Sequence, residues 1–511
     1  MRMPGTGIWR PLLAFLAGAA TVFAFAPFSL YPVAAIGALA LLWLLRESTP
    51  RQAFRIGWGY GLGLLGFGVF WLHISIDQFG NMGTPAAIAL TLLFVLLMAL
   101  YYALLGWLLV RFFRRPLGDS GVIWLLPAAW VLLEWLRGWV LSGFPWLVLG
   151  YSQIDSPLRG YAPLVGVYGV SALLLFSVAL LYRMMQPRQP GRIGLALLLL
   201  LVWGGGEGLA RVQWTEPRGE PLSVSLVQGN IPQDLKWQRV NLQPTLDLYT
   251  GLTRLHWQSD LVIWPETAVP AFAHQVEESL LQPLAAEARE NGSALLIGIP
   301  VWDGANGAYY NSMLSLEQPG APYAKRHLVP FGEFMPLKAW LQPLINWLQI
   351  PMSDFAPGRA ERPLLSVAGY PAGISICYED AFGEEVIQAL PQAAFLVNAS
   401  NDAWFGDSLA PHQHLEIARM RALESGRYLL RSTNTGISAI IGPDGRIDSA
   451  SPAFETHVLS GEIFPRQGAT PYVRVGNWAV ITLDMLLLGP GWRRRGRCAV
   501  TAPPAPRPAA L

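Results

Sequence analysis

Three residues far apart in the chain have side chains that could share one reaction. Cys377 closes the apolar run Gly-Ile-Ser-Ile-Cys, Glu266 closes Leu-Val-Ile-Trp-Pro-Glu, and Lys325 sits in Tyr-Ala-Lys-Arg-His after another strand-like stretch. A thiol becomes a useful nucleophile when a base takes its proton, and a carboxylate shielded from water can be that base once its pKa is raised. A nearby ammonium favours the thiolate and stabilises the oxyanion of a tetrahedral intermediate. Glu, Lys and Cys therefore supply base, electrostatic clamp and nucleophile. Each alone has a plainer reading. A cysteine on an apolar strand is often a small core residue, Glu266 could be a helix cap or a surface charge, and Lys325-Arg326-His327 could be a simple basic patch. Glu266, however, follows Trp264-Pro265 at the end of an apolar run, a poor place for a solvated carboxylate. His412 and His414 are two residues apart and do not share a helix face, and no cysteine or carboxylate pattern joins them. A structural or surface role is expected for both. No metal site and no Gly-rich phosphate loop is legible, so no cofactor is expected.

The elements that must hold the three groups lie between residues 212 and 472, which read as one α/β domain. Short β-branched or apolar runs at 223–229, 260–266, 294–300, 374–380 and 394–400 each predict a buried strand. Segments with helical spacing at 242–257, 275–291 and 411–427 alternate with them, the pattern of a helix-covered sheet. Pro443-Asp444-Gly445 between two strand-like runs predicts a hairpin turn.

The rest of the chain belongs to another solvent. Of the 511 residues 52% are hydrophobic and 14% charged, and the apolar excess is concentrated before residue 212. Mean hydropathy is +0.35. Eight runs near 8–28, 30–46, 56–76, 84–110, 121–141, 163–182, 193–211 and 473–491 approach the roughly 20 apolar residues that a bilayer core requires. Arginines mark alternate junctions: Arg2 and Arg10, then Arg46, Arg51 and Arg55, then Arg111, Arg114 and Arg115, then Arg183, Arg188 and Arg192. Basic loops stay in the cytoplasm, so seven crossings leave residue 212 outside, and Arg493, Arg494, Arg495 and Arg497 keep the tail inside. Ala24-Phe25-Ala26 has the small-x-small look of a signal cleavage site, but Pro27 directly after it argues against cutting. Glu134 and Arg137, three apart in the fifth run, are expected to form a structural ion pair. The expected organisation is a polytopic α-helical membrane domain of seven helices (1–211), an outer α/β domain (212–472), an eighth transmembrane helix (473–492) and a cytoplasmic, disordered tail (493–511) rich in Arg, Pro and Ala. Cys498, in that tail, could not pair with Cys377 across the membrane. Cys377 is then an unpaired thiol in an oxidising compartment, which favours a functional role. The net charge of +2 gives no reason to expect nucleic acid as a partner.

The set Trp-Pro-Glu-Thr at 264–267, Tyr-Ala-Lys-Arg-His-Leu-Val-Pro-Phe-Gly-Glu at 323–333 and Ile-Cys-Tyr-Glu-Asp at 376–380 resembles the carbon–nitrogen hydrolase (nitrilase) superfamily. With residues 227–237, the extension to Leu337 and Asn-Ala-Ser-Asn-Asp-Ala-Trp-Phe-Gly at 398–406, in a seven-plus-one membrane frame, the chain resembles the apolipoprotein N-acyltransferase family of that superfamily. The resemblance implies a four-layer αββα sandwich outside the bacterial inner membrane, with both termini cytoplasmic. It implies Glu266 as general base, Lys325 as oxyanion-stabilising ammonium and Cys377 as nucleophile, with Glu333 positioning Lys325. Trp237, Tyr378 and Glu379 fall on further family positions, the two aromatic residues near acyl chains.

The implied reaction is ping-pong. By that resemblance Cys377 would take an acyl chain from a phospholipid, with phosphatidylethanolamine the expected donor and the oxyanion held by Lys325 and the Tyr378 backbone N–H, and pass it to the α-amino group of a diacylglyceryl-modified cysteine on an apolipoprotein. An apolar mouth formed by Trp404, Phe405 and residues 344–352 would keep water from the thioester. A monomer is expected. Two rivals stay open on the sequence: a membrane-tethered amidase or nitrilase with the same triad, and a transporter or receptor whose outer domain only binds.

Overall fold

The computed structural model describes residues 8–80, 82–113, 121–187, 189–317, 320–334, 354–359 and 363–498. Arg2, Arg114, Arg115 and Arg188, the apolar segment 344–352 and the tail from 499 lie outside them.

From residue 222 onward the alternation of apolar strands and helices closes into two six-stranded sheets. The first contains β1 (Leu222–Gln228), β2 (Leu261–Ile263), β3 (Ala294–Asp303), β4 (Ala308–Ser315) and β5 (Tyr323–Ala324), and the second β6 (Leu364–Val367), β7 (Tyr370–Ile376), β8 (Phe395–Ser400), β9 (Leu429–Thr433), β10 (Ala439–Ile441) and β11 (Ile447–Ala450). β12 (His457–Ile463) returns to the first sheet, whose order is β12-β1-β2-β3-β4-β5, while the second runs β11-β10-β9-β8-β7-β6. In each, three neighbouring strands are parallel: β1, β2 and β3 in one, β7, β8 and β9 in the other. Such strands, covered on both faces, carry the near-continuous apolar runs seen in the sequence. Leu226, Ile263, Leu296 and Met313 from one sheet meet Ile374, Phe395, Val397 and Leu430 from the other in a shared interior. The outer faces are covered by helices. Leu246 and Leu284 pack against Val262 and Leu295 on one side, and Leu415 and Ala418 against Leu396 and Leu429 on the other. The expected αββα layering is therefore what these residues form, and the predicted hairpin joins β10 to β11.

The first half is helical: α1 (Trp9–Thr21), α2 (Pro32–Leu45), α3 (Pro50–Gly68), α4 (Leu72–Gly80), α5 (Thr84–Met98), α6 (Leu100–Phe113), α7 (Val122–Arg137), α8 (Ala162–Met184) and α9 (Arg192–Leu209). Each of the seven apolar runs before residue 212 holds a helix. By length and apolarity, Thr84–Phe112, Pro157–Met184 and Arg192–Leu209 can cross a membrane, and α3 with α4 makes a fourth if that pair, bent by 55°, counts as one span. Trp9–Ala24, Pro32–Leu45 and Trp478–Leu488 are apolar but shorter. The bend after Gly68 frees its carbonyl, which accepts from the Trp71 indole (3.1 Å) and the Gln413 amide (3.0 Å).

Two expectations change. Glu134 and Arg137 do not pair: Glu134 Oε1 accepts from the Trp130 indole and the Leu149 N–H, both at 3.0 Å, which turns the carboxylate away, and the terminal nitrogens of Arg137 find no hydrogen-bond partner among the described residues. The last helix starts at Trp478, beyond a break at Gly476 (φ 64°), and continues to Cys498, so the arginines at 493–497 extend a helix, as their propensity allows, instead of beginning a disordered tail.

α1 and α3 approach at glycine positions. A Cβ added to Gly63 would overlap the Phe15 carbonyl, and one added to Gly18 the Tyr60 carbonyl. We expect Gly63→Val to lower the melting temperature of the detergent-purified protein by the equivalent of at least about 2 kcal/mol, while Gly194→Ala, where a Cβ meets nothing within 4 Å, leaves it unchanged or raises it. Equal melting temperatures for Gly63→Val and wild type would contradict this packing.

Candidate active site

Both parallel trios point their carboxyl ends to one place, the position where open α/β sheets display ligand-binding groups. Glu266 follows β2 by three residues. The chain is held there by the Trp264 N–H on the Leu296 carbonyl (2.8 Å), and by the buried Trp264 indole on Thr253 Oγ1 (2.8 Å). Gly298 on β3 lets the turn pass, since a Cβ there would overlap the Pro265 carbonyl. Lys325 directly follows β5, its N–H on the Asn311 carbonyl at 2.8 Å. Cys377 directly follows β7 in a left-handed conformation (φ 51°), a strained position for a non-glycine residue of the kind that clusters at functional sites.

The structure brings the three together in a nearly dry site. Residue exposure is 1% for Lys325, 6% for Glu266 and 8% for Cys377. The Lys325 ammonium lies 2.8 Å from Glu333 Oε1 and 3.6 Å from Glu266 Oε1. Asn311 Nδ2 donates to Glu266 Oε1 (2.7 Å) and Glu333 Oε1 (3.3 Å), and Glu333 Oε2 accepts from the Val329 N–H (2.8 Å). Glu379 ties the two loops together. Its Oε1 accepts from the Arg326 and His327 N–H groups (2.7 and 3.1 Å), and its Oε2 from the Tyr323 hydroxyl and the Ile376 N–H (both 2.7 Å). One carboxylate thus joins the residues flanking Lys325 to the residue before Cys377.

Electrostatics follow from this burial. Burial raises the Glu266 pKa, Lys325 opposes the rise and Glu333 adds to it. Burial alone would lower Lys325, but Glu333 and Glu266 outweigh it and hold the ammonium charged. Burial, then the Glu266 charge, pushes the Cys377 thiol up, with Lys325 opposing. The sulfur is thereby held toward the thiol form. Glu266, also raised, is the candidate base beside it.

Comparison with known proteins agrees with this geometry. Residues 17–180 match the apolipoprotein N-acyltransferase N-terminal domain, and residues 223–472 match the carbon-nitrogen hydrolase family. Over 96% of its length the chain is 47% identical to the apolipoprotein N-acyltransferase of Methylococcus capsulatus, covering 97% of that protein. The chain belongs to the apolipoprotein N-acyltransferase family. Apolipoprotein N-acyltransferases of Nitrosomonas europaea (46% identity, 94% of this chain and 97% of that one) and Chromobacterium violaceum (44%, 95% of each) are similarly close.

In this family member the other singled-out residues are spread around the triad. Tyr378 points toward the helical half, its hydroxyl donating to the Gly143 carbonyl (2.9 Å) and its ring stacked on Trp146 at 6.2 Å. Phe405 meets Trp71 edge-on at 4.8 Å, Trp404 is partly exposed beside it, and Trp237 is half exposed. Reading the sequence missed Asn311, an isolated polar residue in an alternating strand. It also missed Lys236, buried with its ammonium on Thr267 Oγ1 (2.8 Å) and the Glu266 carbonyl (3.3 Å), and pushed by burial down to about 8.

Two outcomes follow. Protonated Glu266 cannot accept the thiol proton, so the rate of Cys377 S-alkylation should fall as pH drops through the raised carboxyl pKa, on an acid limb centred above the ordinary 4.5. A midpoint at or below 4.5, or a limb that survives in Glu266→Gln, would contradict this. Glu379→Ala strands four donors and should cost at least about 2 kcal/mol, read as a lowered melting temperature together with slower alkylation.

Proposed function

We propose that this enzyme moves an acyl chain from a phospholipid, through a thioester on Cys377, to the α-amino group of the diacylglyceryl-cysteine of an apolipoprotein, completing bacterial lipoprotein maturation. The observation that carries the reading is the seating of the buried Glu266–Lys325–Cys377 set against the apolar helical half, through Tyr378 on Gly143 and Trp146. In the first half-reaction Cys377 Sγ attacks the ester carbonyl while Glu266 takes the thiol proton. Lys325 and the Tyr378 N–H hold the oxyanion, and when it collapses the ester C–O bond breaks. Glu266 returns the proton to the leaving lysophospholipid oxygen. In the second, the acceptor amine attacks the thioester, Glu266 accepts its proton, the C–S bond breaks and the sulfur is reprotonated. Phosphatidylethanolamine is the donor we assign, and the working form is a monomer.

The same reading places all eight apolar runs across the bacterial inner membrane, with both termini cytoplasmic and the sandwich in the periplasm. The alternation of arginine-rich and arginine-free junctions supports it. So do Trp135, Trp139 and Trp478, which contact one another at 5.5 and 6.0 Å near the sandwich ends of their helices, where an aromatic belt belongs. Phe405 of the sandwich meets Trp71 of the helical half edge-on, and exclusion of water by such apolar contacts favours the amine as acceptor.

Purified protein mixed with phosphatidylethanolamine should gain the mass of one acyl chain and lose it to a diacylated lipopeptide. Cys377→Ala should gain none, and Lys325→Ala should slow acylation by at least about 100-fold. Acyl gain by Cys377→Ala would refute the thioester. Release of free acid or ammonia from small amides with no acceptor present would point instead to a tethered amidase.

A further inference from the structure

The carbonyl of Cys377 is held from behind. Asn398 Nδ2 donates to it at 3.1 Å, and His414 Nε2 lies 3.3 Å from it and 2.9 Å from Asp380 Oδ1. Both neighbours of Nε2 are acceptors, so this nitrogen carries a proton. Asp380 belongs to the same short turn, Cys377–Ala381, so one ring N–H pins that turn at two points.

A single guanidinium sets both donors. Arg431, with no exposure, donates from Nη1 to Asn398 Oδ1 (2.6 Å), which turns the amide NH2 of Asn398 toward Cys377. Its Nη2 lies 2.9 Å from His414 Nδ1 and 2.9 Å from Asp402 Oδ2, and Asp402 Oδ1 is 3.2 Å from the same ring nitrogen. His414, Asp380, Asp402 and Asn398 are all buried, and none touches Glu266 or Lys325 by hydrogen bond.

In a trans peptide the C=O and the following N–H point in opposite directions. Donors that draw the Cys377 carbonyl back toward α10, the helix Ala410–Ser425 that carries His414, therefore turn the Tyr378 N–H to the opposite side, away from His414. We propose that His414 is a positioning residue that, with Asn398 and under the control of Arg431, fixes the peptide plane after Cys377 and so the aim of the oxyanion-binding Tyr378 N–H. The inference rests on the acyl-transfer reading above.

Acyl transfer needs that N–H, whereas alkylation of the thiolate forms no oxyanion. The two reactions are compared in full-length protein carrying Cys498→Ser, so that Cys377 is the remaining thiol. His414→Ala should cut the rate of Cys377 acylation by about 10- to 100-fold, with the KM for phospholipid and the rate of iodoacetamide alkylation within about twofold of wild type. His414→Gln, whose amide can donate from nearly the Nε2 position, should recover most of the acylation rate. If His414→Ala does not fold, His414→Met, which keeps the bulk and removes the donor, takes its place. Unchanged acylation in the variant, a parallel loss of acylation and alkylation, or failure of His414→Gln to recover would each overturn the proposal. Should the wild type form no thioester from phospholipid, the acyl-transfer reading fails on its own. The acylation arm is then run with p-nitrophenyl butyrate, whose burst of nitrophenolate reports on Cys377 in the same variants.

Discussion

A cation with almost no access to water has to be neutralised where it stands, and Lys325 is such a cation. Its two carboxylates at 2.8 and 3.6 Å give the trio a net negative charge. Removing both partners would leave the ammonium unpaired in a low-dielectric setting, where the penalty is large. The surrounding chain is arranged to prevent that. Asn311 spaces Glu266 from Glu333, Val329 and its neighbours wrap the second carboxylate, and Glu379 pins the strand ends that bear Lys325 and Cys377. The same burial raises the Cys377 thiol, and Lys325 opposes that rise.

The helical half is bonded into this arrangement instead of serving only as an anchor. Gln413 receives the indoles of Trp71 (3.1 Å) and Trp146 (2.8 Å) on its carbonyl oxygen and gives its amide to Gly68 at the bend between α3 and α4. The next residue, His414, reaches the Cys377–Ala381 turn. Ile417, Met420 and Leu423 share a core with the membrane-half helices while Leu415, Ala418 and Ala422 of the same helix pack on the second sheet. Such a helix is buried on nearly every side, which is why its sequence shows helical length without a clean polar face.

Much of the sandwich could be read from the chain because parallel strands covered on both faces leave uninterrupted apolar runs, and Glu266 and Cys377 stood out as candidates because they close such runs. Glu266 was less exact: β2 ends at Ile263, and the Trp-Pro step carries the backbone on to the carboxylate. Lys236, Asn311 and Arg431 went unread because burial with a partner is a tertiary property, and a lone Lys, Asn or Arg in sequence looks like surface. The Glu134–Arg137 spacing suggested a pair that neighbouring N–H donors from Trp130 and Leu149 displaced. Charge at 493–497 suggested disorder, but arginine sustains a helix well. Local spacing carries periodicity reliably, and carries competition between partners poorly.

The groups of the site arrive from different sheets: Glu266 and Lys325 from one, Cys377 from the other, and side chains join the two layers, by packing as between Ile263 and Leu430 and by hydrogen bonds such as those of Glu379 and of Ser432 Oγ on the Ile263 carbonyl. Hydrogen-bonded strands resist distortion within a sheet far more than two packed layers resist sliding over each other. Slippage of one layer relative to its partner by a fraction of an ångström therefore changes the spacing of Glu266 and Cys377 while the strands stay intact. Heat or a thinned lipid environment would in this way silence the enzyme at temperatures where its secondary structure is still complete.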